Sequence, residues 1–88
     1  MKKILRFNLN KSQVILLTEV KKGSRFKVIR IDEKDIRTQL LRFGLGEGSE
    51  AVCFERLPLG PIVIKHRRQE VAIGREFANK IWVEPLEE

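Results

Sequence analysis

Two side chains in this 88-residue sequence could act as a nucleophile and its base: Cys53 and His66, the one cysteine and the one histidine present. A thiol attacks only when a base takes its proton and a third group orients that base. Strand parity argues against the pair. Val52 and Phe54 are expected to point into the core, which sends Cys53 to the opposite face, while His66 shares parity with Ile62 and Ile64 and points inward. A lone packed cysteine and a partly buried histidine are therefore expected, and no catalytic residue is assigned. The glycines of Gly44-Leu45-Gly46-Glu47-Gly48 could cradle a phosphate, but they follow a helical segment and lack the Gly-Lys-Ser/Thr ending. A turn is expected instead. Asp32, Glu33 and Asp35 could attract a hard cation, yet a helix start already favours acidic side chains, so capping is their expected role.

Basic residues interleaved with aromatics, as in Arg25-Phe26-Lys27, can mark a nucleic-acid surface on which bases stack. The signal is weak, because there are five Phe, one Trp and no Tyr, and most of these fall at core positions. Trp82 is the exception. Ile81 and Val83 share one face of the last strand and Trp82 takes the other, where it either contacts a partner or covers an open barrel end.

The elements that must position these residues follow from periodicity. An apolar run from Val14 to Val20 leads to the turn Lys21-Lys22-Gly23-Ser24. Arg25 to Ile31 alternates and is rich in β-branched residues, so it reads as a strand. Asp32 is placed as a helix N-cap with Asp35 as its reciprocal partner, opening a helix from about Glu33 to Phe43 with Ile36, Leu40 and Phe43 on one face. Gly44 suits a helix C-cap with positive φ. Glu50 to Leu57 and Ile62 to His66 form a hairpin through Pro58-Leu59-Gly60-Pro61. Arg67-Arg68-Gln69 turns into a strand at Glu70 to Ile73, a single helical turn spans Arg75 to Asn79, and Ile81 to Glu84 closes the fold. Five short strands and one early helix suggest a small barrel over residues 14–84, with residues 1–13 as an N-terminal arm or extra edge strand and 85–88 as a frayed tail.

The bulk properties agree with one core. A chain this short buries roughly 60 to 65% of its unfolded surface. Its composition, 42% hydrophobic and 34% charged, is that of an ordinary globular domain. No apolar stretch approaches the roughly 18 residues of a membrane helix. A single cysteine allows no internal disulfide, and Arg6, Asn8, Asn10 and Lys11 interrupt any signal-like apolar region, so a cytoplasmic location is expected. One cysteine and one histidine also exclude a Cys/His zinc site within one chain. The net charge of +6 is uneven: residues 1–42 carry 12 Lys/Arg against 4 Asp/Glu, and residues 43–88 carry 6 against 8. An acidic partner would meet the first half, although solvation by lysine explains the charge equally well.

From Leu40 to Val83 the chain resembles the FeoA family of ferrous iron transport proteins. Members read as a helix ending in Leu-x-x-Leu-Gly-Leu-x-x-Gly, a Val-rich strand, a Pro-x-Gly turn and a closing Leu-x-x-x-x-Ala-x-x-Ile-x-Val. Here stand Leu41-Arg42-Phe43-Gly44-Leu45-Gly46-Glu47-Gly48, then Val52, then Pro58-Leu59-Gly60-Pro61, then Ile73 with Ala78, Ile81 and Val83. With the lead at Leu17 to Gly23 and the strand at 26–31, the similarity covers about four-fifths of the chain. Two departures stand out. Arg67-Arg68-Gln69 occupies a turn where many members place glycine, and His66 falls where an aliphatic residue is more usual.

The resemblance implies a mainly β fold, a small SH3-like five-stranded barrel with one short α-helix after the first barrel strand. It implies a non-enzymatic accessory protein of ferrous iron uptake that binds and regulates the cytoplasmic domain of a FeoB-type membrane permease, at the inner face of the membrane through that partner. No cofactor is implied beyond weak association of Fe(II) or another divalent metal, and no direct membrane insertion. Arg37, Leu41, Arg42 and Trp82 are the expected partner-binding set, since arginine pairs bidentately with a partner's carboxylates. Open barrel edges would also allow a homodimer by strand pairing. Two rivals remain: a basic nucleic-acid-binding barrel, whose affinity would fall steeply with salt, and a detached regulatory domain like the C-terminal barrel of iron-dependent repressors. An enzyme is the least favoured class, because no acid, base and nucleophile are assembled in so small a chain.

Overall fold

The computed structural model describes residues 13–86. Six strands form one antiparallel sheet: β1 (Ile15–Leu16), β2 (Arg25–Ile31), β3 (Glu50–Arg56), β4 (Ile62–His66), β5 (Gln69–Ile73) and β6 (Ile81–Pro85), in the order β1-β6-β2-β3-β4-β5. The mainly β, SH3-like architecture expected above is present, with one strand more than the five. That strand is two residues long. It comes from the start of the apolar lead, which pairs Ile15 with Val83 and then tightens into a 3-10 turn, Leu17–Glu19, that turns Leu17 into the core.

The core lies on the inner face of the sheet, and paired residues meet there: Phe26 with Ala51, Val28 with Val83, Ile31 with Ile81, Cys53 with Ile64, and Ile62 with Ile73. In β2 the buried residues are Phe26, Val28 and Ile31, a spacing that strict alternation forbids. The pairing with β6 shifts register between Val28 and Arg30, so a bulge absorbs one residue. Without it Arg30 would face the core, where an unpaired guanidinium is costly. Instead Arg30 is exposed.

In β3 the expected inward pair, Val52 and Phe54, is corrected. Ala51 and Cys53 are buried, Val52 is half-buried and Phe54 is exposed. Side-chain size misled the reading, because Ala51 lies opposite the fully buried Phe26 and a second large side chain on that face would overpack it. A one-residue change of parity moves a whole strand's side chains across the sheet. Phe54 then covers the outer face, with the Lys65 ammonium 4.8 Å from its ring centroid.

Helix α1 (Lys34–Leu41) is shorter than the expected Glu33–Phe43. Glu33 is the N-cap residue, and no side chain caps the helix, so the reciprocal contact expected of Asp32 and Asp35 is absent. Ile36 and Leu40 are buried as expected, but Phe43 lies beyond the helix and is 43% exposed. Leu45 takes the third core position. Its N–H donates to Leu40 O over 2.9 Å and that of Gly44 to Leu41 O over 3.0 Å, with Gly44 at φ +77°, which together make a Schellman ending with Leu40 and Leu45 as its apolar contact.

The single helical turn appears as α2 (Arg75–Ala78), with Ala78 buried. The β4–β5 hairpin closes at His66 and Gln69, and Arg67 adopts φ +60°, the left-handed conformation for which glycine is usual. Pro85 belongs to β6, and Leu86 N–H donates to Arg25 O over 2.9 Å, so this part of the chain is paired rather than frayed. Residues 1–12 of the expected arm, and the last two residues of the expected tail, lie outside the described residues.

Candidate protein-interaction surface

Cys53 and His66 both point inward, which overturns the parity argument made for Cys53. Each is engaged with backbone. The Cys53 thiol lies 3.9 Å from Val20 O, and burial, the largest influence on it, pushes its pKa up, away from the thiolate a nucleophile needs. His66 Nδ1 lies 2.9 Å from Glu50 O, and a carbonyl only accepts, so Nδ1 carries the proton. Its Nε2 is buried without a hydrogen-bond partner and faces Gly44.

The glycine-rich segment holds itself closed. Glu47 accepts the Ile31 N–H over 3.2 Å and Ser49 Oγ donates to Gly44 O over 3.1 Å. A side chain on Gly46 would place its Cβ 2.8 Å from Leu41. These contacts make a turn that packs on the end of α1. Among the described residues no group of three or more His, Cys, Asp or Glu is placed to hold a metal ion.

The acidic cluster has been divided by the fold. Asp32 accepts from Arg30 Nε over 2.8 Å through one oxygen and from Trp82 Nε1 over 2.8 Å through the other. Arg30 also lies over the indole, 5.2 Å from its ring centroid. The hydrogen bond from Arg30, followed by that from Trp82, holds the Asp32 carboxyl below the usual aspartate range. Trp82 is thus half-buried and fixed in orientation, not freely exposed.

The remaining candidates lie along α1. Leu41 is 59% exposed and Arg42 is exposed beside it, at the end closed by Gly44. Arg37 is half-buried, and its Nη2 donates to Ile31 O over 3.4 Å, so it clamps the helix to the end of β2. Eight residues of helix are about 12 Å long. The set therefore falls into a Trp82 corner at the start of α1 and a Leu41–Arg42 corner at its end. No hydrogen bond joins the two corners directly among the described residues, and Arg37 stands between them.

One feature was missed by the sequence reading. The opposite flank of α1 borders a cleft of about 400 Å³, walled by Ile36, Leu40 and Phe43 on one side and by Val71, Ile73 and Phe77 on the other. Phe43 and Phe77 stand 43% and 46% exposed at its mouth. The signal lay in Phe77, an apolar residue in a four-residue helical turn with no buried role of its own.

Residues 15–85 match the model of the FeoA domain family. The crystal structure of an iron uptake regulatory protein (FeoA) is 31% identical, with a TM-score of 0.75 over 84% of this chain and 99% of that one. A FeoA-like protein from Clostridium acetobutylicum is 30% identical, with a TM-score of 0.74 over 88% of this chain and 92% of that one. A manganese-dependent transcriptional repressor shares the fold at 22% identity, with a TM-score of 0.73 over 83% of this chain and 42% of that one. A search of curated proteins gave no match.

Proposed function

The chain belongs to the FeoA family, a family of ferrous iron transport, and from that premise we propose that it is a non-enzymatic accessory protein which binds the cytoplasmic domain of a FeoB-type permease and regulates it. Iron is then the partner's cargo, and this chain supplies a shaped surface. The observation that carries the reading is Leu41, an apolar side chain held 59% exposed on a helix whose other face is locked into the core. A rigid presentation of this kind loses little entropy on docking. Arg42 beside it can pair with a carboxylate of the partner.

The test is a calorimetric titration against the permease's cytoplasmic domain at two salt concentrations, with a random DNA duplex as control. Saturable binding to the permease domain is expected, weakened about tenfold or more by Leu41→Asp, since burying an unpaired charge at an interface core costs at least ~1.4 kcal/mol. Binding to DNA alone, lost at high salt, would sink the reading in favour of a nucleic-acid-binding barrel.

A further inference from the structure

Strand β5 is the last in the sheet order and, among the described residues, is paired only with β4. From the pair His66–Gln69, which closes the hairpin, the antiparallel ladder alternates, so Glu70 and Ala72 turn their N–H and C=O groups away from β4. Neither takes part in the loop and turn backbone hydrogen bonds found among the described residues. The apolar cleft beside α1 adjoins this edge, since Val71, Ala72 and Ile73 line it. A strand laid along β5 would therefore set alternate side chains beside Val71 and Ile73, in the cleft, and the others beside Glu70 and Ala72, on the outer face. Leu41 and Arg42 are not among the walls, so this surface is separate from theirs.

Charge identifies what fits there. The sequence carries a net charge of +6, yet the charged residues lining the cleft are Glu33 and Asp35, both exposed, and Glu70 stands exposed on the edge itself. None of these carboxylates forms a salt bridge among the described residues. Lys65, directly opposite Glu70 on β4, turns its ammonium to the Phe54 ring. Unpaired carboxylates around an apolar groove complement a segment that is both cationic and apolar. A second copy does not supply one through this edge, because β5 has no Lys or Arg and pairing it with itself would set one acidic rim against another. The cleft's volume of about 400 Å³ lies in the range of binding clefts that enclose apolar groups.

We propose that the β5 edge and this cleft receive an extended segment of a partner protein in which apolar residues alternate with Lys or Arg. The segment adds as a strand. Its backbone pairs with Glu70 and Ala72, its apolar side chains enter the cleft and cover Phe43 and Phe77, and a basic side chain lies opposite Glu70, while Glu33 and Asp35 draw it toward the groove. The site does not depend on the permease reading, since it recognises a pattern of residues and uses neither Leu41 nor Arg42.

The probe is a synthetic peptide, acetyl-Lys-Leu-Lys-Phe-Lys-Leu-Lys-amide, titrated into the full chain and followed by backbone NMR. Saturable shifts centred on Glu70 to Ile73 are expected, and the same peptide with glutamate in place of lysine should bind about tenfold or more weakly. N-methylation of the internal lysines, which would sit opposite Glu70 and Ala72, should also weaken binding about tenfold or more, because it removes the amides that pair with the edge. Ala72→Pro, which removes an N–H that β4 does not use, should have a similar effect, with the amides of Ile64 and Val83 reporting that the barrel is intact. Glu70→Lys, an exposed substitution that keeps the test open if Ala72→Pro fails to fold, should weaken binding about threefold or more. Absence of saturation, equal binding of the glutamate peptide, indifference to N-methylation, or shifts centred on Leu41 and Arg42 would overturn the proposal. So would β5 shifts that change with protein concentration before peptide is added, which assign the edge to a second copy.

Discussion

At its C-terminal end α1 stops within a run of six residues, Leu40 to Leu45, whereas at its N-terminal end the chain is held by a side chain fifty positions away. The first end is local chemistry: Gly44 supplies the positive φ, and Leu40 and Leu45 supply the apolar clasp. The second is tertiary. Asp32 had the type and position of an N-cap, but Arg30 and Trp82 take both of its oxygens. A carboxylate near a helix start therefore goes to the donors that surround it, and a charged guanidinium forms a stronger bond than a backbone N–H.

Three measurements would break or sharpen this contrast. The largest effect is expected from Leu45→Ala, which empties a buried site under the clasp and should cost about 2 to 4 kcal/mol in denaturant unfolding; a loss below ~1 kcal/mol would mean that Leu45 does not anchor the helix end. Next comes Gly44→Ala, which forces an L-residue into the left-handed region and should cost about 1 to 2 kcal/mol. Little or no change would deny the Schellman ending.

The smallest effect belongs to the other end. The folded pKa of Asp32 is depressed, so its contribution to stability is present above the ordinary carboxylate pKa and is lost as pH falls through the lower folded value. The Trp82 indole N–H resonance should follow a titration below the usual aspartate range, and Arg30→Gln should move its midpoint upward. An unchanged midpoint would remove Arg30 from the account.

Much of the candidate surface was legible in advance only in part. Arg42 followed from helical period, because positions off the Ile36–Leu40 stripe face outward, and Leu41 was named in the contact set without that argument. Arg37 shares that logic but is drawn back to Ile31 O, and nothing in its own segment marks that carbonyl as free. Trp82 was placed on the outer face correctly, while its fixed orientation depends on Asp32 and Arg30 from another strand and its bulge. The cleft was not legible, since it exists only where α1 and α2 flank β5.

By itself the sequence determined the order of strands and helices, the glycine that ends α1, and the family pattern, because alternation, helical period and turn chemistry act over a few residues. Only the tertiary structure decided which face of β3 turns inward, where β2 bulges, which donors Asp32 serves, and that an apolar cleft opens beside an edge strand. Each of these depends on the volume and hydrogen-bonding groups of residues distant in the chain, and those are fixed only once the sheet has closed around them.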